Sequence, residues 1–230
     1  MKTVVIIQAR VGSTRLPGKV LLDVCGAPLL ARVIRRAGRA QTADEVIVAT
    51  STLSRDDAVA DLAKSEGVRV FRGSESDVLS RYAEAAKMAG ADIVVRITAD
   101  CPLVDPSIID RTVRSLRLSN YDFASVSAEG FDPETQSVRR TFPRGLDVEV
   151  CWADVLYRCE RLFDSPRARE HVFTGVYEER PELFLIRYIR DSTDHGTLNW
   201  SVDTQHDLDY IRVIYDDRAD YRELLARYAP

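Results

Sequence analysis

T-V-V-I-I (Thr3 to Ile7), running straight into Q-A-R-V-G-S-T-R-L-P-G-K (Gln8 to Lys19), decides how this chain is read. The first five residues are apolar or β-branched and bounded by polar ones, the mark of a strand buried on both faces, as in a parallel sheet. The next twelve carry three cations (Arg10, Arg15, Lys19), two glycines (Gly12, Gly18), two hydroxyls (Ser13, Thr14) and a proline. Glycine lets a backbone turn sharply and pass close to a ligand. Successive N–H groups in such a turn form a concavity for anions. Arg offers phosphate oxygens a planar fork and Lys a point charge. The stretch reads as a polyphosphate site at the carboxyl end of the first strand, with Gln8, Ala9, Gly12 and Ser13 among its binding residues. The plain alternative is a solvated, charged surface loop.

Two common phosphate loops do not fit. The Walker A pattern G-x-x-x-x-G-K-[ST] fails, because Gly12 to Gly18 is one residue too long and Val20 stands where a magnesium-holding hydroxyl belongs. The dinucleotide fingerprint G-x-G-x-x-G is absent.

Downstream, strands and helices alternate. Val20 to Pro28 reads as a short extended segment turning at Gly26, with Pro28 suited to the first turn of a helix over 29–39. Strands are expected at Glu45 to Thr50, Arg69 to Arg72 and Ile93 to Ile97. Helices are expected at Asp56 to Glu66, at Asp77 to Met88 (capped by Ser74 or Ser76) and at Pro106 to Leu118. This β-α-β-α order predicts a mostly parallel α/β sheet with helices on both faces. The second half breaks the rhythm. Phe123 to Val126, Asp147 to Cys151, Leu183 to Tyr188 and Asn199 to Val202 read as strands. The segment 127–144, with Gly130, Pro133 and Pro143, reads as a long loop or lid. Helices are expected over 153–162, 167–179, 204–215 and 221–228. The whole is expected to be one domain over 1–230, with a nucleotide-binding half (1–120) and an acceptor-binding half (121–230) on one sheet.

Two carboxylates sit where open α/β sheets bind ligands, just past strand ends: Asp100 in T-A-D-C-P and Asp203 after W-S-V. Together they can hold one Mg²⁺, which prefers a few acidic oxygens plus phosphate and water. The alternatives are a turn-closing role for Asp100 and an N-cap role for Asp203.

Composition limits the possibilities. The chain has 230 residues, a formal charge of −4 and 45% hydrophobic residues, so no global basic field invites nucleic acid. No apolar run approaches the ~20 residues that cross a bilayer, and no signal peptide is read at the start. Cys25, Cys101, Cys151 and Cys159 form no C-x-x-C pair and read as reduced, core or near-core thiols of a cytoplasmic protein. Three histidines argue against a His-rich metal centre.

The opening V-I-I-Q-A-R-V-G-S-T-R-L-P-G-K resembles the signature of the sugar-acid cytidylyltransferases, which include the synthetases of CMP-activated 3-deoxy-octulosonate and sialic acid. G-S-E-S-D-V-L-S-R-Y, R-I-T-A-D-C-P-L-V-D-P, P-R-G-L-D-V-E-V, R-E-H-V and V-D-T-Q-H-D-L resemble more closely the branch of spore-coat polysaccharide biosynthesis protein F. The resemblance runs nearly the whole chain in order. It implies a Rossmann-like fold of the nucleotide-diphospho-sugar transferase type, CTP and Mg²⁺ as ligands, and a homodimer. It also implies transfer of CMP to an acceptor such as a sugar acid, polyol phosphate or phosphonate. Arg10, Arg15 and Lys19 would hold the triphosphate and steady the departing pyrophosphate, with Asp100 and Asp203 on the metal. Gly73 to Arg81 would line the nucleobase pocket, although the relatives' S-G-T before the matching arginine is missing. Arg81 could equally be an exposed helix residue. For the acceptor, Arg144, Asp147, Glu149, Arg169, Glu170 and His171 are candidates, His171 also as a general base. Gln205 and His206 replace the usual Pro and Glu, which predicts a less rigid helix start. A nucleotide-sugar glycosyltransferase and a non-catalytic nucleotide-binding module are the competing classes.

Overall fold

The computed structural model describes residues 1–127, 131–132 and 137–229. Seven strands form one sheet: β1 (Thr3–Gln8), β2 (Glu45–Ser51), β3 (Arg69–Gly73), β4 (Ile93–Thr98), β5 (Phe123–Ser125), β6 (Glu149–Trp152) and β7 (Ile186–Tyr188). Their order is β7-β5-β6-β4-β1-β2-β3. Every neighbouring pair is parallel except those of β6, which runs antiparallel to both β4 and β5. The mostly parallel α/β sheet expected from the sequence is present, and the single reversed strand comes from the half where the rhythm breaks.

The strongest buried run, β1, is central. Its side chains alternate between two cores. Val5 and Ile7 pack with α1 (Leu29–Ala37), α4 (Pro106–Arg117), α7 (Gln205–Ile214) and α8 (Tyr221–Tyr228) on one face. Val4 and Ile6 pack with α3 (Val78–Ala89), α5 (Ala153–Leu162) and α6 (Pro166–His171) on the other. All four β1 residues are fully buried, which explains a continuous apolar run instead of an alternating one. The remaining helix, α2 (Asp57–Ser65), adds Val59 and Ala63 to the first core.

Several expectations change. Val20 to Pro28 is not simply extended. A 3₁₀ turn at Lys19–Leu21 leads into two-residue strands, Asp23–Val24 and Ala27–Pro28, paired antiparallel. Cys25 and Gly26 make the tight turn with φ of 53° and 92°, so Cys25 is exposed while the other three cysteines are buried. Pro28 is the N-cap of α1, not its first residue. The cap of α3 is Asp77, whose side chain accepts from the Ser80 N–H; neither Ser74 nor Ser76 serves. Leu183 belongs to a 3₁₀ turn, and β7 starts only at Ile186. Asn199 to Val202 is no strand; Asn199 forms a lone bridge to Arg144.

The helix expected over 167–179 is interrupted at Val172. That residue has φ 63° and ψ −60°, and the Phe173 N–H donates to the His171 carbonyl at 2.7 Å. This is the rarer, strained form of γ-turn, and a β-branched residue is seldom found there. A short π-helical turn, Gly175–Glu179, follows. Of the expected loop or lid over 127–144, Gly130 and Pro133 lie outside the described residues.

Candidate active site

The cation-rich loop is held from below. Asp56, fully buried in the turn before α2, accepts from the Val11 N–H at 2.7 Å and from the Ser51 hydroxyl. The Val11 carbonyl in turn accepts from the Ser13 and Gly18 N–H groups at 2.7 and 3.0 Å. Gly18 takes φ +71°, a conformation costly for other residues, and directs the next side chain inward. The sequence placed Asp56 only as the first residue of an expected helix. Its place as the loop's anchor depends on β2 lying beside β1.

Lys19 crosses under the loop. Its ammonium donates to Asp100 Oδ2 and Asp203 Oδ1, both at 2.9 Å, and to the Val202 carbonyl at 2.6 Å. The two aspartates converge because the Val202 N–H donates to the Asp100 carbonyl at 2.8 Å, so the 198–203 segment runs along the end of β4. Burial alone would push the Lys19 amine down and the Asp100 carboxyl up. Their mutual attraction outweighs it, leaving Lys19 above and Asp100 below their ordinary ranges, and both charged. The Thr98 hydroxyl donates to Asp100 Oδ1 at 2.6 Å and adds to the effect.

The N-cap alternative for Asp203 does not hold, while Asp100 does lie in the turn that follows β4. The N-cap of α7 is Thr204, in a capping box with Asp207. Asp207 also accepts from the Asp203 N–H at 3.0 Å. That box fixes the helix start without the proline the sequence lacks. The Asp203 carboxylate is left to Lys19 and, at 2.9 Å, to the more exposed Arg15. Asp100 caps no helix. Among the described residues no three His, Cys, Asp or Glu converge as a metal cage. Magnesium needs no such cage: one or two carboxylates with phosphate and water oxygens suffice. Asp100 and Asp203 bring two carboxylates together, with the Lys19 ammonium between them.

Three cavities share walls along the carboxyl ends of the strands. The first, about 380 Å³, is lined by Gln8, Ala9, Arg10, Gly12, Ser13, Arg15, Lys19, Asp100 and Asp203. The second, about 230 Å³, shares Gln8, Ala9, Arg10 and Asp100 with it and adds Arg81, Arg96 and His171. The third, about 690 Å³, shares Arg96 and His171 and adds Arg140, Arg144, Arg167 and Asn199. The result is a groove with the cationic loop at one end and an arginine cluster at the other.

Arg81 is not an exposed helix arginine: it is 1% exposed. Its Nη1 donates to the Ser74 carbonyl at 2.7 Å, while its buried Nε has no partner. Burial holds its guanidinium below the ordinary range. Gly73 lines none of these cavities. It clears a path for Arg81, since a Cβ there would sit 2.9 Å from Phe71 and 3.3 Å from Arg81.

The acceptor candidates divide. Arg144 and His171 line the third cavity, and Arg144 has no side-chain partner among the described residues. Asp147 and Glu149 line none of the three. Asp147 pairs with Arg140 at 2.7 Å, and Glu149 with Arg96, directly across the β4/β6 ladder. Arg169 ties α6 to α3 through Asp77 at 3.2 Å, and Glu170 faces Arg10 at 3.4 Å. His171 sits on the strained turn. Partial withdrawal from water, against the pull of Glu170 and helped by Arg96 and Arg167, holds its imidazole below the usual histidine range.

Known proteins resemble this chain in sequence and fold. Residues 4–150 match the family model described as cytidylyltransferase. The chain is similar to the spore coat polysaccharide biosynthesis protein SpsF of Bacillus subtilis, at 28% identity over 96% of this chain and 89% of that one. It is similar to the structure of a cytidylyltransferase from Leptospira borgpetersenii, at 32% identity and TM-score 0.90, covering 99% and 93% of the two chains. A CMP:2-keto-3-deoxy-manno-octonic acid synthetase solved with CTP is similar at 25% identity and TM-score 0.71, covering 93% and 98%.

Proposed function

The chain belongs to the cytidylyltransferase family, and we propose that it transfers CMP from CTP to an acidic or sugar-like acceptor, releasing pyrophosphate, with Mg²⁺ bound by Asp100 and Asp203. The observation that carries this reading is Lys19, which joins the cationic loop to both aspartates through contacts of 2.9 Å.

In this reading the triphosphate lies in the first cavity. Arg10, Arg15 and Lys19 bind its β- and γ-phosphates, with Gly12 and Ser13 giving the loop its close approach. An acceptor oxygen attacks the α-phosphorus, the bond to the bridging oxygen breaks, and pyrophosphate leaves carrying those electrons. Such transfers ask for positioning and charge neutralisation more than covalent chemistry, and fixed cations aimed at the departing oxygens supply it. The metal, when bound, neutralises charge on the phosphates. Arg81 and Val78 meet the cytosine in the second cavity. Arg144 binds an anionic group of the acceptor in the third, while Asp147 and Glu149 hold Arg140 and Arg96 in place. His171, neutral near pH 7, accepts the acceptor's proton where one must leave; an already ionised acid needs no base. The similarity to SpsF supports a place in cell-surface polysaccharide or related biosynthesis.

The test is pyrophosphate release from each of the four NTPs with Mg²⁺ and a panel of sugar acids, polyol phosphates and phosphonates. CTP-dependent release with one acid is the expected result. A sugar nucleotide consumed with no pyrophosphate formed would favour glycosyl transfer and overturn the proposal.

A further inference from the structure

Lys19 holds the position that a metal ion would need. Its ammonium has three N–H donors and no more. All three are spent, on Asp100 Oδ2 and Asp203 Oδ1 at 2.9 Å and on the Val202 carbonyl at 2.6 Å. The side chain is 11% exposed, so this is a packed contact and not a loose surface pair. Magnesium would draw the same oxygens to about 2.0–2.1 Å. Two cations cannot share that centre.

We propose that Lys19 is the resident cation of this site: in the nucleotide-free protein it fills the divalent-ion position, and the metal enters as nucleotide phosphates draw the ammonium away. The inference rests on the reading of Asp100 and Asp203 as the metal-holding pair.

Charge balance supports an exchange over a permanent plug. With Lys19 removed and nothing in its place, the two converging carboxylates would be left to the exposed Arg15 alone; a divalent ion in its place matches their charge. Lysine suits the part, being a compact charge on a flexible four-carbon stem. The stem borders the first cavity, where Arg10, Ser13 and Arg15 also face, so phosphate oxygens there offer the ammonium new acceptors within a short swing. Arg15 is a poorer plug. Its contact with Asp203 is on the rim, with the side chain 64% exposed, and such pairs break cheaply. Metal and nucleotide are then thermodynamically coupled, each raising the other's affinity by the same factor. The protein avoids binding metal without nucleotide.

The test uses Mn²⁺ as probe, with free ion read by its electron paramagnetic resonance signal. Nucleotide-free wild type should bind Mn²⁺ weakly. Nucleotide-free Lys19→Gln, shown folded by circular dichroism, should bind one Mn²⁺ at least about tenfold more tightly, within the usual range of such couplings. Adding Asp203→Asn should remove that gain. Equal or weaker binding by Lys19→Gln overturns the proposal. If that variant does not fold, wild type decides alone: micromolar Mn²⁺ binding without nucleotide overturns it, and Mn²⁺ retained with the protein only when CTP is present, beyond what the same CTP binds without protein, upholds it. Mn²⁺ binding with CTP that is indifferent to Asp203→Asn would sink the metal reading itself.

Discussion

Glu149→Gln separates a ligand from a counter-ion. Glu149 and Arg96 stand directly opposite each other on β6 and β4, with side chains 3% and 13% exposed. Arg96 also donates from Nε to Gln8 Oε1 at 3.2 Å. Burial pushes the Glu149 carboxyl up, and Arg96 offsets only part of that. Neutralising Glu149 leaves the guanidinium without its acid in a mostly dry site, at a cost of about 3–5 kcal/mol for a broken buried pair. Gln8 stays in place and Arg96 opens onto the groove, so the low end, about 3 kcal/mol, applies. At about 2–4 °C per kcal/mol for a chain of this size, the melting temperature should fall by about 6–12 °C. Thermal unfolding followed by circular dichroism reads this directly. Replacing both partners with apolar residues, Arg96→Met with Glu149→Leu, should recover most of the stability, since such swaps are often neutral. The double variant should still lose acceptor affinity, because Arg96 lines two of the three cavities. A Glu149→Gln protein that melts within about 1 °C of wild type yet shows a raised acceptor KM would refute the reasoning and make Glu149 a direct ligand.

Asp56→Ala should raise the KM for CTP with a smaller change in kcat, because it frees the loop at Val11. The Val11 N–H and Ser51 hydroxyl it strands cost about 1–3 kcal/mol, which denaturant unfolding should show. Arg81→Met should raise the KM for CTP about tenfold or more, a hydrogen bond from a charged group being worth about 1.5–3 kcal/mol, and leave kcat nearly unchanged. His171→Gln should cut kcat by about 10²–10⁴ with an acceptor that must lose a proton, and have little effect with one already ionised. The acid limb of the wild-type pH–rate profile should lie below the ordinary histidine value of about 6.5 and vanish in that variant. The same depressed value carries a stability term of known sign: the unfolded chain binds the proton first, so the term is full above the unfolded pKa and is lost as pH falls through the folded one.

What could be read in the sequence was what local chemistry determines. β1 announced itself through five consecutive apolar or β-branched residues, and the parallel sheet followed from strands alternating with helices. Asp100 was legible as a carboxylate just past β4, but Asp203 was placed past a strand, Asn199 to Val202, that does not form. The contact between them was not legible, since it depends on the Val202 N–H reaching the Asp100 carbonyl across 102 positions of chain. The same limit hid Asp56, which looks like any acid opening a helix until β2 is laid beside β1. Glu149 and Asp147 misled for a related reason. A carboxylate in an alternating strand signals one polar face, but only the neighbouring strand or loop shows whether water, substrate or an arginine lies there. At Val172 no local signal existed at all, because its apolar character suits a helix and only packing holds the left-handed turn.

The two ends of the groove handle charge in opposite ways, and the difference bears on how each would work. At the arginine-rich end Arg96, Arg140 and Arg167 each have their own acid, in Glu149, Asp147 and Glu178, and only Arg144 lacks one among the described residues. Arg96 and Arg140, 13% and 19% exposed, are preorganised in this way, with little rotamer freedom left to lose on binding. At the loop end the cations share acids with one another or hold them at the rim. Lys19 and Arg15 both lean on Asp203, and Arg10 reaches Glu170 at only 3.4 Å. The rim pairings of Arg15 and Arg10 can be exchanged at small cost, whereas packed Lys19 would leave its acids only for another cation, as a site that admits a tetra-anionic nucleotide with its metal would require. Under the proposed function, a rigid arginine-rich end would select the acceptor by shape, while an exchangeable loop end would let the triphosphate be turned over.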